Sequence, residues 1–267
     1  MLNRAENVPS DAVEEVYFGQ VLQGSAGQAP ARQAALGAGL SQSVICTTVN
    51  KVCASGMKAI MLGAQSIKSA DKDIVIAGGM ESMSLVPRYL KRAPQAYGNV
   101  ELTDGILLDG LTDAYDRFHM GICAENTCKK HGISREEQDD YAISSYQKSA
   151  AAHEAGKLSQ EIVPVELKPR KPSDPVKVVK DDEEFRKIDF DRVRKLKPAF
   201  DRDNGTVTAA NASTLNDGAA ATLLMSPKAV AQYKVTPLAE IVAYADAACA
   251  PIDFPLAPAL GIPKVSF

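Results

Sequence analysis

The sequence predicts an α/β fold, a parallel sheet covered by helices, with a second domain inserted into it. Two observations carry that prediction. In the first half, short runs rich in Val, Ile and Thr alternate with helical runs of small and apolar residues, the pattern of parallel strands joined by crossover helices. From about Met83 the alternation stops. It resumes near Asn204–Leu224, where a glycine-dotted and then apolar stretch (AAATLLM) reads as the chain re-entering a core sheet.

Each element has a local reason. Val13–Leu22 reads as a strand, and Pro30–Gly39 as a small-residue helix with proline in its first turn. Val44–Asn50 is a second strand rich in β-branched residues. Ser55–Ser69 puts Met57, Ile60, Met61, Ala64 and Ile67 on one helical face. Ile74–Ala77 is a short apolar strand ending at Gly78-Gly79. Residues 88–112 show no period and are punctuated by Pro94, Gly98, Gly105 and Gly110. Ser134-x-x-Glu137 is a capping box opening a helix that runs through Tyr141 and Tyr146 and ends at Gly156. Glu161–Leu167 reads as a strand. The charged, proline-containing stretch 168–200 reads as a long surface excursion, a kind of segment that often carries function.

Composition narrows the function classes. The 267 residues are 45% hydrophobic and 24% charged, ordinary values for a soluble globular chain. A net charge of −3 lacks the basic surplus of a nucleic-acid binder. No apolar run is long enough to cross a bilayer, and the first residues carry neither an apolar signal core nor an Arg/Ser-rich amphipathic stretch. Five cysteines, an odd number, argue against a disulfide scaffold and for a reducing compartment. His119, Cys123, Cys128 and His131 are close in sequence but contain no C-x2-C pair, so they fit no usual zinc pattern. They read as thiols packed like small apolar side chains.

Cys53 is the candidate nucleophile. It stands between the second strand and the helix from Ser55, in KVCASGMKA. A thiol there faces the positive end of the helix dipole and unpaired backbone N–H groups, which favour the reactive thiolate. Ala54, Ser55 and Gly56 leave room for a substrate. Cys46, inside the preceding strand, reads as structural.

At these residues the chain resembles the thiolase family. Asn50-Lys51-Val52-Cys53-Ala54-Ser55-Gly56 matches its N-x-x-C-x-S-G phrase, and GQAPARQA (Gly27–Ala34) and AGGMESMS (Ala77–Ser84) resemble its flanking segments. FHMG-x-x-AE (Phe118–Glu125) and NGTVTAANAS-x-LNDGAAA (Asn204–Ala221) resemble two further signatures. The resemblance spans almost the whole chain and is strongest to the mitochondrial short-chain branch, which handles acetoacetyl-CoA. It implies a layered α-β-α-β-α fold, here incomplete, with an inserted loop domain. The implied domains are residues 1–82 (core half with the nucleophile), 83–215 (loop domain), 216–236 (return to the core) and 237–267 (start of a second half).

The resemblance also implies chemistry: acyl transfer between two acetyl-CoA and acetoacetyl-CoA plus coenzyme A, with Cys53 carrying the acyl group. His119 and Met120 match the acyl pocket. Tyr146, Lys187, Ile188, Asp189, Arg192 and Ser213 match coenzyme A-binding positions. Tyr146 with the backbone of Ala209, Ala210 and Ala212 matches a potassium site. Implied for the full-length form are a homo-oligomer, dimer or tetramer, and a mitochondrial location, with a cytoplasmic one as the alternative because these residues show no transit peptide. No nucleic acid or membrane partner is implied. The family's N-E-A-F, G-H-P-x-G-x-S-G and C-x-G-G-G phrases, which supply the activating histidine, an oxyanion donor and a second cysteine, do not occur in the sequence. The expectation is therefore a chain with little turnover of its own and an exposed apolar face around Met57, Ile60 and Met61. The second reading is a non-catalytic coenzyme A-binding or dimerising fragment. β-Ketoacyl synthase, which shares the fold, is disfavoured by the long insertion.

Overall fold

A computed structural model describes residues 2–5, 7–92, 97–169 and 171–266; Pro94 lies outside them. Along the chain the elements are β1 (Glu15–Gly19), α1 (Pro30–Gly37), β2 (Ile45–Val49), α2 (Ser55–Lys68) and β3 (Ile74–Ser82). A short pair follows, β4 (Arg88–Tyr89) and β5 (Thr103–Asp104), then α3 (Met120–His131) and α4 (Arg135–Glu154). The remainder is β6 (Val165–Leu167), β7 (Lys177–Val179), α5 (Phe190–Val193), β8 (Asp217–Met225), α6 (Pro227–Tyr233) and α7 (Ala257–Gly261). These residues divide into two compact units. One holds residues 1–120, 215–249 and 256–267; the other holds 121–214 and 250–255. Residues 83–120, expected with the inserted domain, group with the first unit.

The first unit is organised by a four-stranded sheet in the order β2-β1-β3-β8. β1 pairs in parallel with both β2 and β3. The fourth strand reverses: β8 runs antiparallel to β3, from Ile74 opposite Met225 to Ser82 opposite Asp217. The sheet is therefore mixed, not purely parallel. This pairing also explains why β3 continues past its expected end at Ala77 through Gly78 and Gly79 to Ser82. A partner along the whole edge stabilises residues that are poor strand formers alone.

Alternation along the strands separates two apolar faces. Val16, Phe18, Ile74 and Ile76 pack with Ala31 and Ala35 of α1 in one buried cluster. On the other face, Val75 and Ala77 approach Gly63 of α2. The buried side of α2 is Ser55, Ala59, Met61, Gly63 and Ala64, so a stripe of small residues meets the sheet. Met57 is turned away and 64% exposed. The face expected from apolar spacing thus straddles the contact, because close packing on the strands selects small side chains over large ones.

In the second unit, α4 begins at the expected capping box, with the Glu137 N–H donating to Ser134 Oγ at 3.2 Å and the Ser134 N–H donating to Glu137 Oε2 at 2.8 Å. It ends before Gly156, whose φ of 66° is the left-handed conformation glycine adopts readily. Helix α3 was not legible from periodicity: its buried residues are Gly121, Cys123, Thr127 and Cys128, small side chains in place of a stripe of large apolar ones. The stretch 168–200 contains β7 and the one-turn helix α5. Among the described residues no helix is long and apolar enough to cross a membrane, and no group of three or more His, Cys, Asp or Glu is placed to hold a metal ion.

Candidate active site

Cys53 is exposed, on the turn that joins β2 to α2. Side chains within that turn hold it. Asn50 Oδ1 accepts from the Val52 N–H at 3.0 Å, and Ser55 Oγ accepts from the Lys51 N–H at 2.8 Å while donating to the Val52 carbonyl at 2.5 Å. Val52 has a φ of 48°, a left-handed conformation that a β-branched residue adopts only under constraint. Such strain, about 1–3 kcal/mol, persists where surrounding contacts over-determine it. The N-cap of α2, Ala54, contributes no side-chain acceptor, and the turn closes on backbone bonds from the Ala54 N–H to the Lys51 carbonyl at 3.2 Å and from the Ser55 N–H to the Val52 carbonyl at 3.0 Å.

The sheet braces the same turn from below. A Cβ on Gly19, the last residue of β1, would lie 2.4 Å from the Ser55 carbonyl carbon and 2.5 Å from the Gly56 nitrogen. Only glycine lets the strand end approach the helix start so closely. On the far side, Lys51 and Lys58 both ion-pair with Asp246, Lys58 at 2.6 Å. The lysines, Lys51 first, hold the Asp246 carboxyl down at about 2. The Lys264 ammonium adds a bond to the Asp246 carbonyl at 2.7 Å, and Lys68 lies 4.9 Å from the centre of the Tyr244 ring.

A cavity of about 710 Å3 opens beside the turn, lined by Asn50, Val52, Val21, Tyr89 and Met120 among others. Its volume is that of a small-molecule site. Two loops shape it. Glu81, near the end of β3, accepts from the Val21 and Leu22 N–H groups at 2.9 and 3.1 Å. Asp113, buried, accepts from the Tyr115 and Asp116 N–H groups at 2.8 and 2.6 Å. Its turn lets Thr112 pair with His119 as an isolated antiparallel bridge, which sets Met120 at the cavity wall. His119 is half-buried, and burial pushes its ring below the usual histidine value, so the neutral form is favoured near neutral pH.

The second unit carries the other candidate residues. Glu184 links two of them: Oε1 accepts from the Tyr146 hydroxyl at 3.5 Å and Oε2 from the Lys187 ammonium at 3.3 Å. Lys187 is also 3.2 Å from Glu183, whose hydrogen bond raises its pKa more than that of Glu184 does. The Tyr146 hydroxyl is raised by burial first and by the Glu184 charge second. Asp189 caps α5, accepting from the Asp191 N–H at 3.1 Å, and so fixes the turn between Ile188 and Arg192. Ala209–Ser213 forms a turn closed by the Ala212 N–H on the Thr208 carbonyl at 3.0 Å, with Ala210 buried and Ser213 exposed. Sequence reasoning assigned no role to Glu81, Glu125, Asp139, Glu184 or Asp246. Glu125 lies inside a quoted signature, whereas Asp139 and Asp246 gave only ordinary charges on a helix and a loop.

The site is thus an exposed thiol on a constrained strand-to-helix turn of an α/β core, with Asn50 and Val52 of that turn lining a cavity. A model of the thiolase N-terminal domain matches residues 1–228, and the chain belongs to the thiolase family. It is 58% identical over 258 residues to the mitochondrial acetyl-CoA acetyltransferase of Rattus norvegicus, covering 97% of this chain and 60% of that protein. The Danio rerio counterpart is 60% identical, with 97% and 61% covered. The chain thus spans about 60% of the length of these relatives. A crystal structure of an Ascaris suum thiolase in complex with coenzyme A superposes with a TM-score of 0.89 at 42% identity, covering 97% of this chain and 65% of that one.

Proposed function

We propose that this protein transfers acyl groups between coenzyme A thioesters, the acetyl-CoA C-acetyltransferase reaction, with Cys53 as the acyl carrier. The observation that carries the reading is the Cys53 turn: strained, braced by Gly19, and next to a cavity of about 710 Å3 that its neighbours Asn50 and Val52 line. In the first half-reaction Cys53 Sγ attacks the thioester carbonyl. The bond from that carbon to the coenzyme A sulfur breaks, and the thiol proton ends on the departing coenzyme A. Donors for the developing oxyanion come from the N–H groups at the start of α2. His119 and Met120 bound the acyl group. Coenzyme A binds the second unit through Lys187, Ile188, Asp189, Arg192 and Ser213, with the lysine and arginine meeting its phosphates. A potassium ion fits the Tyr146 hydroxyl and the carbonyls of Ala209, Ala210 and Ala212, neutral oxygen donors of the kind alkali cations take. The Tyr146 hydroxyl donates its proton to the bond with Glu184, leaving its oxygen lone pairs for the ion. The relatives' names support the mitochondrion as the place of action; that the full-length form assembles as a dimer or tetramer is part of the same proposal.

A second reading is a coenzyme A-binding module without turnover. One experiment separates the two. The chain is incubated with acetyl-CoA and its tryptic peptides are weighed. An acetyl adduct on Cys53 supports acyl transfer, while coenzyme A binding with no adduct supports the binding module. Neither adduct nor binding removes both.

A further inference from the structure

The second unit contains a carboxylate that the acyl-transfer chemistry leaves unused. Asp139, on α4, is 2% exposed, and its two oxygens serve different partners. Oδ2 accepts from Arg135 Nε at 2.8 Å, one helical turn earlier; Oδ1 accepts from Asn211 Nδ2 at 3.0 Å. Arg135 extends the network, its Nη2 donating to the carbonyls of Val193 and Leu196 at 3.1 and 3.0 Å. Val193 is the last residue of α5, next to Arg192. Asn211 lies between Ala210 and Ala212, and its side chain closes the turn on both sides. Nδ2 also donates to the Thr206 carbonyl at 3.0 Å, and Oδ1 accepts from the Thr208 N–H at 2.7 Å. The entry to that turn is pinned from α3, where Glu125 accepts from the N–H groups of Thr206 and Val207 at 2.9 and 2.8 Å and from the Thr206 hydroxyl at 2.8 Å.

From this geometry we infer that Asp139, acting through Arg135 and Asn211, is the positioning residue of the coenzyme A-binding unit. Three segments carrying candidate ligand groups hang from it: α4 itself, with Tyr146 two turns along; α5, with Arg192; and the Ala209–Ser213 turn. A buried ion pair is weak evidence for stability, since desolvation offsets the attraction, but it can select one arrangement among several. Here the arrangement selected brings segments from three separate stretches of sequence into one register. Neither Asp139 nor Asn211 needs to touch the ligand. This inference rests on the proposed binding of coenzyme A by this unit.

The test uses the whole chain, labelled with 13C at alanine methyls, together with calorimetry of coenzyme A binding. Asn211→Ala removes both side-chain bonds that close the turn and is expected to weaken binding about tenfold or more. Asn211→Asp keeps the volume but sets a second carboxylate against Asp139 and the Thr206 carbonyl, and is expected to weaken binding further still. A residue that merely fills space predicts the opposite order, because aspartate is nearly the shape of asparagine. In both variants the methyl signals of Ala209, Ala210 and Ala212 should shift while those of Ala59 and Ala64 in α2 stay. Asp139→Asn, which retains an oxygen for Asn211 but loses the charge facing Arg135, is the substitute if an Asn211 variant does not fold, and the same weakening is expected. Unchanged affinity in the variants, or an Asp variant that binds like the parent, overturns the inference. If the parent chain itself binds no coenzyme A, the functional reading fails, and the methyl shifts alone still decide whether the network sets the turn.

Discussion

Two turns in this molecule carry candidate site residues, and they are held by different means. The Cys53 turn is fixed by backbone geometry: a strand ends under it, a helix starts from it, and Gly19 lets the two touch. Its side-chain bonds, from Asn50 and Ser55, are local. The Ala209–Ser213 turn has no strand beneath it and is held by two acidic side chains, Glu125 and Asp139, reaching from separate helices. The proposed nucleophile, Cys53, is therefore placed by steric exclusion, which is indifferent to pH and salt. The ligand-binding turn is placed by charge-assisted hydrogen bonds, which are directional and depend on every partner being present. A residue that forms and breaks a bond benefits from the first; a surface that must accept a long, flexible ligand can be built from the second.

Substitutions can break each half of that contrast. The largest effect is expected for Gly19→Ala, whose new Cβ cannot fit against Ser55 and Gly56 without moving α2. Overpacking of this kind should cost about 3 kcal/mol, seen as a lower urea midpoint. The same variant should change the Cys53 alkylation rate and leave coenzyme A binding at the second unit intact. Next is Glu125→Gln, which removes the charge shared by three donors, the Thr206 N–H and hydroxyl and the Val207 N–H. A loss of about 1.5–3 kcal/mol is expected, with coenzyme A affinity falling and Cys53 reactivity unchanged. If Glu125→Gln altered Cys53 and spared coenzyme A, the division of labour would be wrong.

The smallest effect concerns Asp246, whose ion pairs brace the Cys53 turn from outside. Its carboxyl is held at about 2, chiefly by Lys51 and then Lys58. A depressed folded value means the contribution is present above the ordinary aspartate value near ~4 and is lost as pH falls toward about 2. Because the pair is well exposed, Asp246→Asn should cost under about 1 kcal/mol at neutral pH, and less in high salt. Melting curves at low and high salt check this, and a large, salt-insensitive loss would show that the Cys53 turn depends on charge after all.

What the sequence disclosed follows the same division. The capping box at Ser134 and the glycine end at Gly156 were legible because helix ends are local chemistry. Cys53 was legible because its neighbours spell out the strand-to-helix junction. Helix α3 was not, since Gly121, Cys123, Thr127 and Cys128 bury no apolar stripe. On α2, Met57 is exposed as expected while Met61 is buried, because apolar spacing does not reveal that the sheet demands small residues such as Ala59 and Gly63. The reversal of β8, and the length of β3 that depends on it, come from a pairing across more than a hundred residues. The Asp139 network was invisible for that reason too: Arg135 and Asp139 are an ordinary helical pair until Asn211 arrives from elsewhere in the chain.

The central claim is that the turn after β2 makes Cys53 the reacting thiol. Cys123 and Cys128 are buried, Cys46 is half-buried with its thiol pushed up by burial, and Cys249 is the other exposed cysteine. The most direct measurement is limited iodoacetamide labelling of the folded chain from pH 6 to 9, with adducts mapped and timed by mass spectrometry, alongside Gly19→Ala. The account predicts that Cys53 is alkylated first at every pH and that Gly19→Ala abolishes its lead. Labelling of Cys249 ahead of Cys53 in the unaltered chain would contradict it.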